Sequence, residues 1–202
     1  MEKKQVIIVD YGMGNLHSVS NAIKAVGGEP VVTGDKKIIA GAERLILPGV
    51  GAFGDCVANL RKAGVVPELM NHLTAGKPFL GICLGMQMLF EGSEEAPGVP
   101  GLGFFKGQVK KLVTKEKIPH MGWNKLELVN PSPLLQEAEG AYVYFVHSFA
   151  CEPEDRTLIT AVCQYGMEVT ASVGRGKVQG FQFHPEKSSR AGLGLLQKFL
   201  LL

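Results

Sequence analysis

Cys83 lies between two glycines in Gly81-Ile82-Cys83-Leu84-Gly85, directly after the apolar run Pro78-Phe79-Leu80. A short apolar run reads as a buried strand, and Leu84-Gly85-Met86-Gln87-Met88-Leu89-Phe90 reads as the start of a helix. A nucleophile on a tight strand-to-helix turn needs small residues two positions before and after it, because larger side chains collide as the backbone doubles back. The turn would set the Cys83 sulfur at the positive end of the following helix, which favours thiolate, the attacking form. A second constellation, His184-Pro185-Glu186, follows the apolar stretch that ends at Phe183. Pro185 pushes His184 into an extended conformation. In an extended run residues i and i+2 point the same way, so the Glu186 carboxylate can hold one imidazole nitrogen and leave the other free. That is the arrangement of a general base supported by an acid. Either string alone carries little. Together they predict a cysteine nucleophile, a histidine base and an orienting carboxylate brought together by the fold.

The elements that would position them alternate. Strands are expected at 5–9, 30–33, 44–47 and 77–82. Helices are expected from Leu16 to Val26, over 56–62 with Asp55 as cap, and over 66–73. Gly27-Gly28 ends the first of these helices. After a Gly-, Pro- and Glu-rich loop over 92–103, short strands dominate at 108–113, 126–129, 141–146, 158–163, 168–173 and 177–183. Leu193, Leu196, Phe199 and Leu200 then repeat at helical spacing. The fold class is α/β: an open, largely parallel twisted sheet with helices on both faces and additional antiparallel strands. No linker, repeat or charge block divides the chain, so residues 1–202 read as one domain. Sites in open α/β sheets form beyond the carboxyl ends of the strands. Three loops are expected there: Pro48 to Gly54, the Cys83 turn, and the segment after Phe183.

Composition excludes several classes. The 202 residues carry 21 basic and 19 acidic side chains, a net charge of +2 that gives no sign of a nucleic-acid or membrane surface. No apolar stretch approaches the roughly 20 residues of a membrane span, and no export signal is visible, so a cytoplasmic location is expected. Cys56, Cys83, Cys151 and Cys163 form no C-x-x-C pair and no metal-ligand spacing, so no metal and no cofactor is expected. Cys56, Cys151 and Cys163 read as small buried apolar residues. His17 and His72, in helical patterns, read as surface or structural.

Gly81-Ile82-Cys83-Leu84-Gly85-Met86-Gln87, Phe183-His184-Pro185-Glu186-Lys187-Ser188 and Pro48-Gly49-Val50-Gly51-Ala52-Phe53-Gly54 together resemble the class I (triad-type) glutamine amidotransferases over nearly the whole chain. The resemblance implies Cys83 as nucleophile, His184 as base and acid, and Glu186 as orienting acid. It implies an oxyanion hole of backbone N–H groups at Leu84 and the Val50-Gly51 region. Contacts to L-glutamine are implied for Gln87, Glu95, His147, Ser148 and Phe149. The residues agree in part: a first helical N–H such as that of Leu84 is unpaired, Gly51 admits close backbone approach, and Gln87 lies one turn beyond Cys83 on the same face.

The opening Val9-Asp10-Tyr11-Gly12-Met13-Gly14-Asn15-Leu16, Pro119 to Asn124 (PHMGWN) and Tyr144 to Phe149 (YFVHSF) resemble those members that pass ammonia to a (β/α)8-barrel cyclase subunit in a heterodimer. The expected docking face is the rim around Cys83, with Asn15, Met121, Trp123, Asn124 and Lys187. Trp is a preferred interface anchor, and Lys187 could pair with an acid across the junction. Three other readings stand beside this one: a glutaminase subunit serving another synthase such as pyridoxal phosphate synthase, a stand-alone cysteine hydrolase, and a non-catalytic binding protein on the same fold.

Overall fold

The computed structural model describes residues 4–202. Its elements run β1 (Gln5–Val9), α1 (Leu16–Ala25), β2 (Glu29–Thr33), α2 (Lys36–Gly41), β3 (Leu45–Gly49), α3 (Phe53–Ala63), α4 (Val66–Thr74), β4 (Phe79–Cys83) and α5 (Leu84–Gln87). There follow β5 (Gly92–Ser93), β6 (Gly107–Lys111), β7 (His120–Lys125), β8 (Glu127–Leu128), β9 (Tyr142–His147), β10 (Phe149–Pro153), β11 (Ile159–Gln164), β12 (Glu168–Arg175), β13 (Val178–Phe181) and α6 (Ser189–Leu201). The main sheet has eight strands in the order β2-β1-β3-β4-β13-β12-β11-β8. Strands β2 through β13 in that order pair in parallel, and β12, β11 and β8 extend the sheet antiparallel. This is the expected class.

Strand alternation divides the core between the two sheet faces. Val6, Ile8, Ile46, Leu80 and Ile82 pack with Val19 and Ile23 of α1 and with Leu195, Leu196 and Phe199 of α6. Ile7, Val9, Leu45, Leu47 and Phe79 pack on the other face with Ile39 of α2, Phe53 and Leu60 of α3 and Leu69 of α4. The apolar residues of β1 therefore serve both layers, as a strand covered by helices on both sides requires. Each fully buried Leu, Ile or Phe removes apolar surface worth roughly 1.5–3 kcal/mol.

Two smaller sheets flank this frame. β10-β6-β5 carries the 92–103 loop, and β7-β9 is an antiparallel ribbon pairing His120 with His147 and Trp123 with Tyr144. Neither β7 nor β10 is expected from the sequence. Polar residues interrupt β7 (HMGWNK), and β10 (FACEP) follows β9 with only Ser148 between. The six-residue α2 also goes unread; its start is fixed by Asp35, whose carboxylate accepts from Lys37 N at 2.7 Å. Helix α3 begins at Phe53, three residues before the expected 56, and Asp55 is not its cap. The helix expected over 84–90 is regular only through Gln87, so it is a single turn.

The strand-to-helix turn is as tight as the glycines require. Cys83 holds φ +54, ψ −112, a backbone conformation that side-chain-bearing residues rarely adopt. A Cβ on Gly81 would stand 2.6 Å from the Gly85 carbonyl oxygen, and one on Gly85 would overlap the Leu47 carbonyl. Both obstacles are backbone and cannot swing aside. Gly85→Ala is therefore expected to cost at least about 2 kcal/mol. In contrast, Gly194→Ala, on α6 with no atom within 4 Å of the added carbon, should gain about 0.5–1 kcal/mol. Urea unfolding of both variants checks the pair; an unchanged midpoint for Gly85→Ala would remove the steric account of the turn.

Candidate active site

Parallel pairing of β4 and β13 sets Phe181 opposite Ile82. The chain leaving β13 therefore runs past Cys83. His184 is extended (φ −98, ψ 98), as Pro185 demands. Glu186 does not reach it along a strand. Pro185–Lys187 is a single 3-10 turn, and the turn curls the carboxylate back to His184. Glu186 Oε1 lies 2.8 Å from His184 Nδ1, with both side chains all but inaccessible. Ser188 Oγ locks this turn: it donates to the His184 carbonyl at 2.6 Å and accepts from Tyr144 N at 2.9 Å, tying the turn to β9.

His184 Nε2 has no conventional hydrogen bond, so it is the nitrogen left free to move protons. Burial disfavours charge on this imidazole, but the Cys83 sulfur and the Glu186 carboxylate outweigh it and bring the group from its ordinary 6.5 up to about 9.

Cys83 and His184 open on a cleft of about 520 Å³, within the range of about 300–1,000 Å³ usual for small-molecule sites. Val50, Gly51, Leu84, Gln87, Glu95, His147, Ser148, Phe149, Asn15 and Lys187 also line it, so twelve of the sixteen residues singled out from the sequence converge there. Glu186 sits behind His184. Met121, Trp123 and Asn124 lie off the cleft on β7.

Several of these residues are engaged differently from what their types alone imply. Glu95 accepts from Phe53 N at 2.8 Å and so caps α3, the task expected of Asp55. The Pro48–Val50 loop is pinned from the α3 side: Tyr11 Oη donates to the Pro48 carbonyl (2.8 Å) and Cys56 Sγ to the Val50 carbonyl (3.4 Å). Burial pushes the Cys56 thiol up, which keeps it a donor. Cys151 and Cys163 are buried in the core as expected. So is His72, whose Nε2 meets the Pro78 carbonyl at 2.9 Å, whereas His17 is exposed.

Gln87 is buried, and its Nε2 is spent on the Phe149 carbonyl and on Gln182 Oε1, each at 3.0 Å; only its Oε1 is left without a partner. His147 likewise has no ring nitrogen to spare. Nδ1 meets the Phe149 carbonyl at 2.8 Å and Nε2 meets His120 Nδ1 at 3.0 Å, and burial, chiefly, pushes it down to about 3. His120 Nε2 in turn meets Asn124 Oδ1 at 2.7 Å, while Asn124 Nδ2 donates to the Gln164 carbonyl. Asn124 thus faces inward and is not a free rim residue. Both ends of this chain are carbonyl acceptors, so joining every link takes three hydrogens on two imidazoles; burial pushes both rings down, which favours the neutral pair with two. Phe145 and Tyr165 both stack on the His120 ring, at centroid distances of 4.8 and 3.9 Å.

The outer face of the ribbon is different. Met121 and Trp123 are 61% and 48% exposed, far too open for core residues. Tyr144, missed in the sequence, pairs with Trp123 across the ribbon (centroids 6.1 Å) and lies under Lys187 Nζ (5.9 Å). Alternation across β9 was the signal that could have found it. Gln182 was also missed; no motif logic marks an amide between two phenylalanines.

The family model of the class-I glutamine amidotransferases matches residues 7–201. The relatives include proteins named imidazole glycerol phosphate synthase subunit HisH. That of Methanothermobacter thermautotrophicus is 46% identical over 96% of this chain and 97% of its own. The Aquifex aeolicus protein is 48% identical over 96% and 95%. The one from Caldanaerobacter subterraneus subsp. tengcongensis is 49% identical over 95% of each. Among solved structures, PurLQS from Thermotoga maritima superposes with a TM-score of 0.79 at 22% identity, covering 99% of both chains. A second, described as a glutamine amidotransferase, gives 0.77 at 20% identity, covering 97% of this chain and 99% of its own. These two likenesses concern the fold alone.

The charge on His184 makes stability depend on pH. Its raised pKa contributes stability that is complete below 6.5 and lost as pH rises through about 9. Urea midpoints should therefore fall across that interval. Glu186→Gln, which removes one source of the raised value, should show a shallower fall centred at lower pH. Parallel curves for the two proteins would exclude His184 as the cause.

Proposed function

The chain belongs to the class I glutamine amidotransferases, and we propose that it hydrolyses L-glutamine to glutamate and ammonia as the glutaminase subunit of imidazole glycerol phosphate synthase, in histidine biosynthesis. The observation that carries this reading is the meeting of Cys83, on its strained turn, with the buried His184–Glu186 pair in one cleft. The relatives bearing that subunit's name are matched over nearly the full length of both chains.

In this reading residues 1–202 form one amidotransferase domain. Cys83 attacks the side-chain amide carbon of glutamine, having passed its proton to His184 Nε2. The negative oxygen that develops is held by backbone N–H groups at Leu84 and the Val50-Gly51 region, each such donor worth about 3–4 kcal/mol in the transition state. His184 returns the proton to the departing nitrogen, ammonia leaves, and a glutamyl thioester remains. A water then gives up a proton to His184 and attacks the thioester, releasing glutamate and restoring the thiol. Glu186 holds the imidazole by Nδ1 throughout. The free Gln87 Oε1, Glu95, Ser148 and the backbone around His147 and Phe149 line the region where the amino-acid end of glutamine would lie.

Ammonia at neutral pH is mostly ammonium and a poor nucleophile, so it must be handed over directly. The reading therefore supplies a (β/α)8-barrel cyclase subunit, in a heterodimer, that makes imidazole glycerol phosphate and an aminoimidazole carboxamide ribotide. It docks on the rim where Met121, Trp123, Asn15 and Lys187 are presented; Asn124 supports that face from behind through His120. We place the complex in the cytoplasm, where the four free cysteines would stay reduced. No helix among the described residues is long and apolar enough to cross a membrane.

Ammonia release from glutamine, assayed with the cyclase subunit and its ligand, tests the chemistry. Cys83→Ala should abolish turnover with the fold intact, and near wild-type activity in that variant would overturn the assignment. The subunit alone should be much slower than the complex; full activity without the partner would favour a stand-alone hydrolase. For the docking face, Trp123→Ala and Lys187→Glu should each weaken binding to the cyclase by about tenfold or more without unfolding the chain. Unchanged affinity in titration calorimetry would remove these residues from the interface.

A further inference from the structure

Gln182 lies outside the cleft, fully buried, in the segment that leaves β13. Its side-chain amide nitrogen is 3.7 Å from Cys83 Sγ. Nitrogen and oxygen of an amide are alike in shape, so the orientation has to come from the partners. Here they fix it. The Phe149 carbonyl only accepts, so the group that Gln87 turns toward it is Nε2. The second hydrogen of that same nitrogen points at Gln182, 3.0 Å away, which makes the facing atom of Gln182 its oxygen. The remaining atom, directed at sulfur, is therefore Nε2–H. A backbone carbonyl two amides distant thus dictates that the nucleophile is met by a donor.

The neighbouring side chains hold this amide in place. Phe181 and Phe183 are buried in the core with their rings stacked at 4.6 Å, and Gln182 between them turns instead to Gln87 on α5. The Gln182 backbone N–H is taken by the Ala171 carbonyl on β12. Pairing of Phe181 with Ile82 carries the next position, Gln182, alongside Cys83. A donor so fixed favours the form of sulfur that carries negative charge, because hydrogen bonds to charged acceptors are the stronger ones.

We propose that Gln182 is a further catalytic residue, whose amide N–H stabilises the Cys83 thiolate once the thiol proton has moved to His184. The proposal rests on the reading of Cys83 as nucleophile, and it deepens that reading. It also compensates for the brevity of α5, a single turn with little of the helix dipole that the sequence suggests.

The test is the pH dependence of Cys83 alkylation by iodoacetamide in the full chain, with Cys83→Ala defining the background. This reaction needs neither glutamine nor a partner. Gln182→Glu keeps shape and the acceptor for Gln87 but withdraws the donor; Gln182→Met withdraws both polar ends at similar length. Both should move the alkylation profile up by about one pH unit, with about tenfold slower reaction at neutral pH. In the cyclase complex, both should lower kcat and leave KM nearly unchanged, since Gln182 does not line the cleft. In Gln182→Met, which adds no charge, a merely structural role would leave the alkylation profile in place, and superimposable profiles for that variant overturn the proposal. Without any substitution at 182, the side-chain NH₂ resonances of Gln182 should shift as Cys83 ionises and stay flat in Cys83→Ala; flat resonances in the unmodified chain would equally sink it. Turnover surviving in Cys83→Ala would instead defeat the functional reading, whatever the profiles show.

Discussion

Helix α5 rests directly on the sheet, and the site depends on how closely it can do so. Where β3, β4 and β13 run side by side, the backbone of this one turn occupies the space that side chains would need. A carbon added at Gly49 would come within 2.7 Å of Leu84 Cβ, and one at Gly180 within 2.6 Å of Met86 Cγ. Glycines on three adjacent strands, Gly49, Gly81 and Gly180, together with Gly85 in the turn itself, leave room for it. Because α5 sits so low, Cys83 is forced to a positive φ and Gln87 is driven into the interior. There it reaches both Phe149 and Gln182. The strain at Cys83 is thus a consequence of packing, held by backbone obstacles on both sides.

Around that turn the polar groups form one connected set with few spare ends. The Phe149 carbonyl accepts from Gln87 and His147. From Gln87 the bonds continue to Gln182 and the sulfur, and from His147 to His120, Asn124 and the Gln164 carbonyl on β11. Strand β7 therefore has two roles. Its inner face, through His120 and Asn124, fixes the walls of the cleft, while its outer face presents Met121 and Trp123 to solvent. Buried polar chains of this kind are costly when one link is missing and rigid when all are made. Placing the exposed apolar pair on the same strand joins the rim and the cleft by a short covalent path.

The sequence reveals local features better than their setting. The Gly81–Gly85 string, the Pro185 constraint and the alternation of strands with helices are local signals, and each corresponds to what the fold contains. Adjacency of β4 and β13 has no local signal, since a parallel pairing across nearly a hundred residues is decided by the whole core. Gln182 owes its importance to that pairing and so stays invisible in the chain. Glu95 is similar: a loop carboxylate becomes a helix cap only once the 92–103 loop is folded over α3. Short polar strands such as β7 escape because their apolar periodicity is broken by the residues that serve the site. The extended reading of His184-Pro185-Glu186 brings the carboxylate to one imidazole nitrogen without saying which; the structure makes it Nδ1, and a 3-10 turn, not a strand, carries the carboxylate there.

Charge balance explains why neutral donors matter at this site. With the thiol ionised, a single imidazolium stands between a sulfur anion and a buried carboxylate, so the cluster carries one negative charge in excess. Glu186 Oε2, buried and without a hydrogen-bond partner, adds to the cost. Among the described residues no lysine or arginine enters the cluster to offset it; Lys187 Nζ lies over the Tyr144 ring at the rim. A second cation beside the sulfur would neutralise the excess but would also quench the nucleophilicity proposed for it. Dipoles avoid that difficulty, because they stabilise the charge without donating a proton or pairing permanently with it. The first N–H groups of α5 and the amide of Gln182 are the dipoles this fold can bring to sulfur.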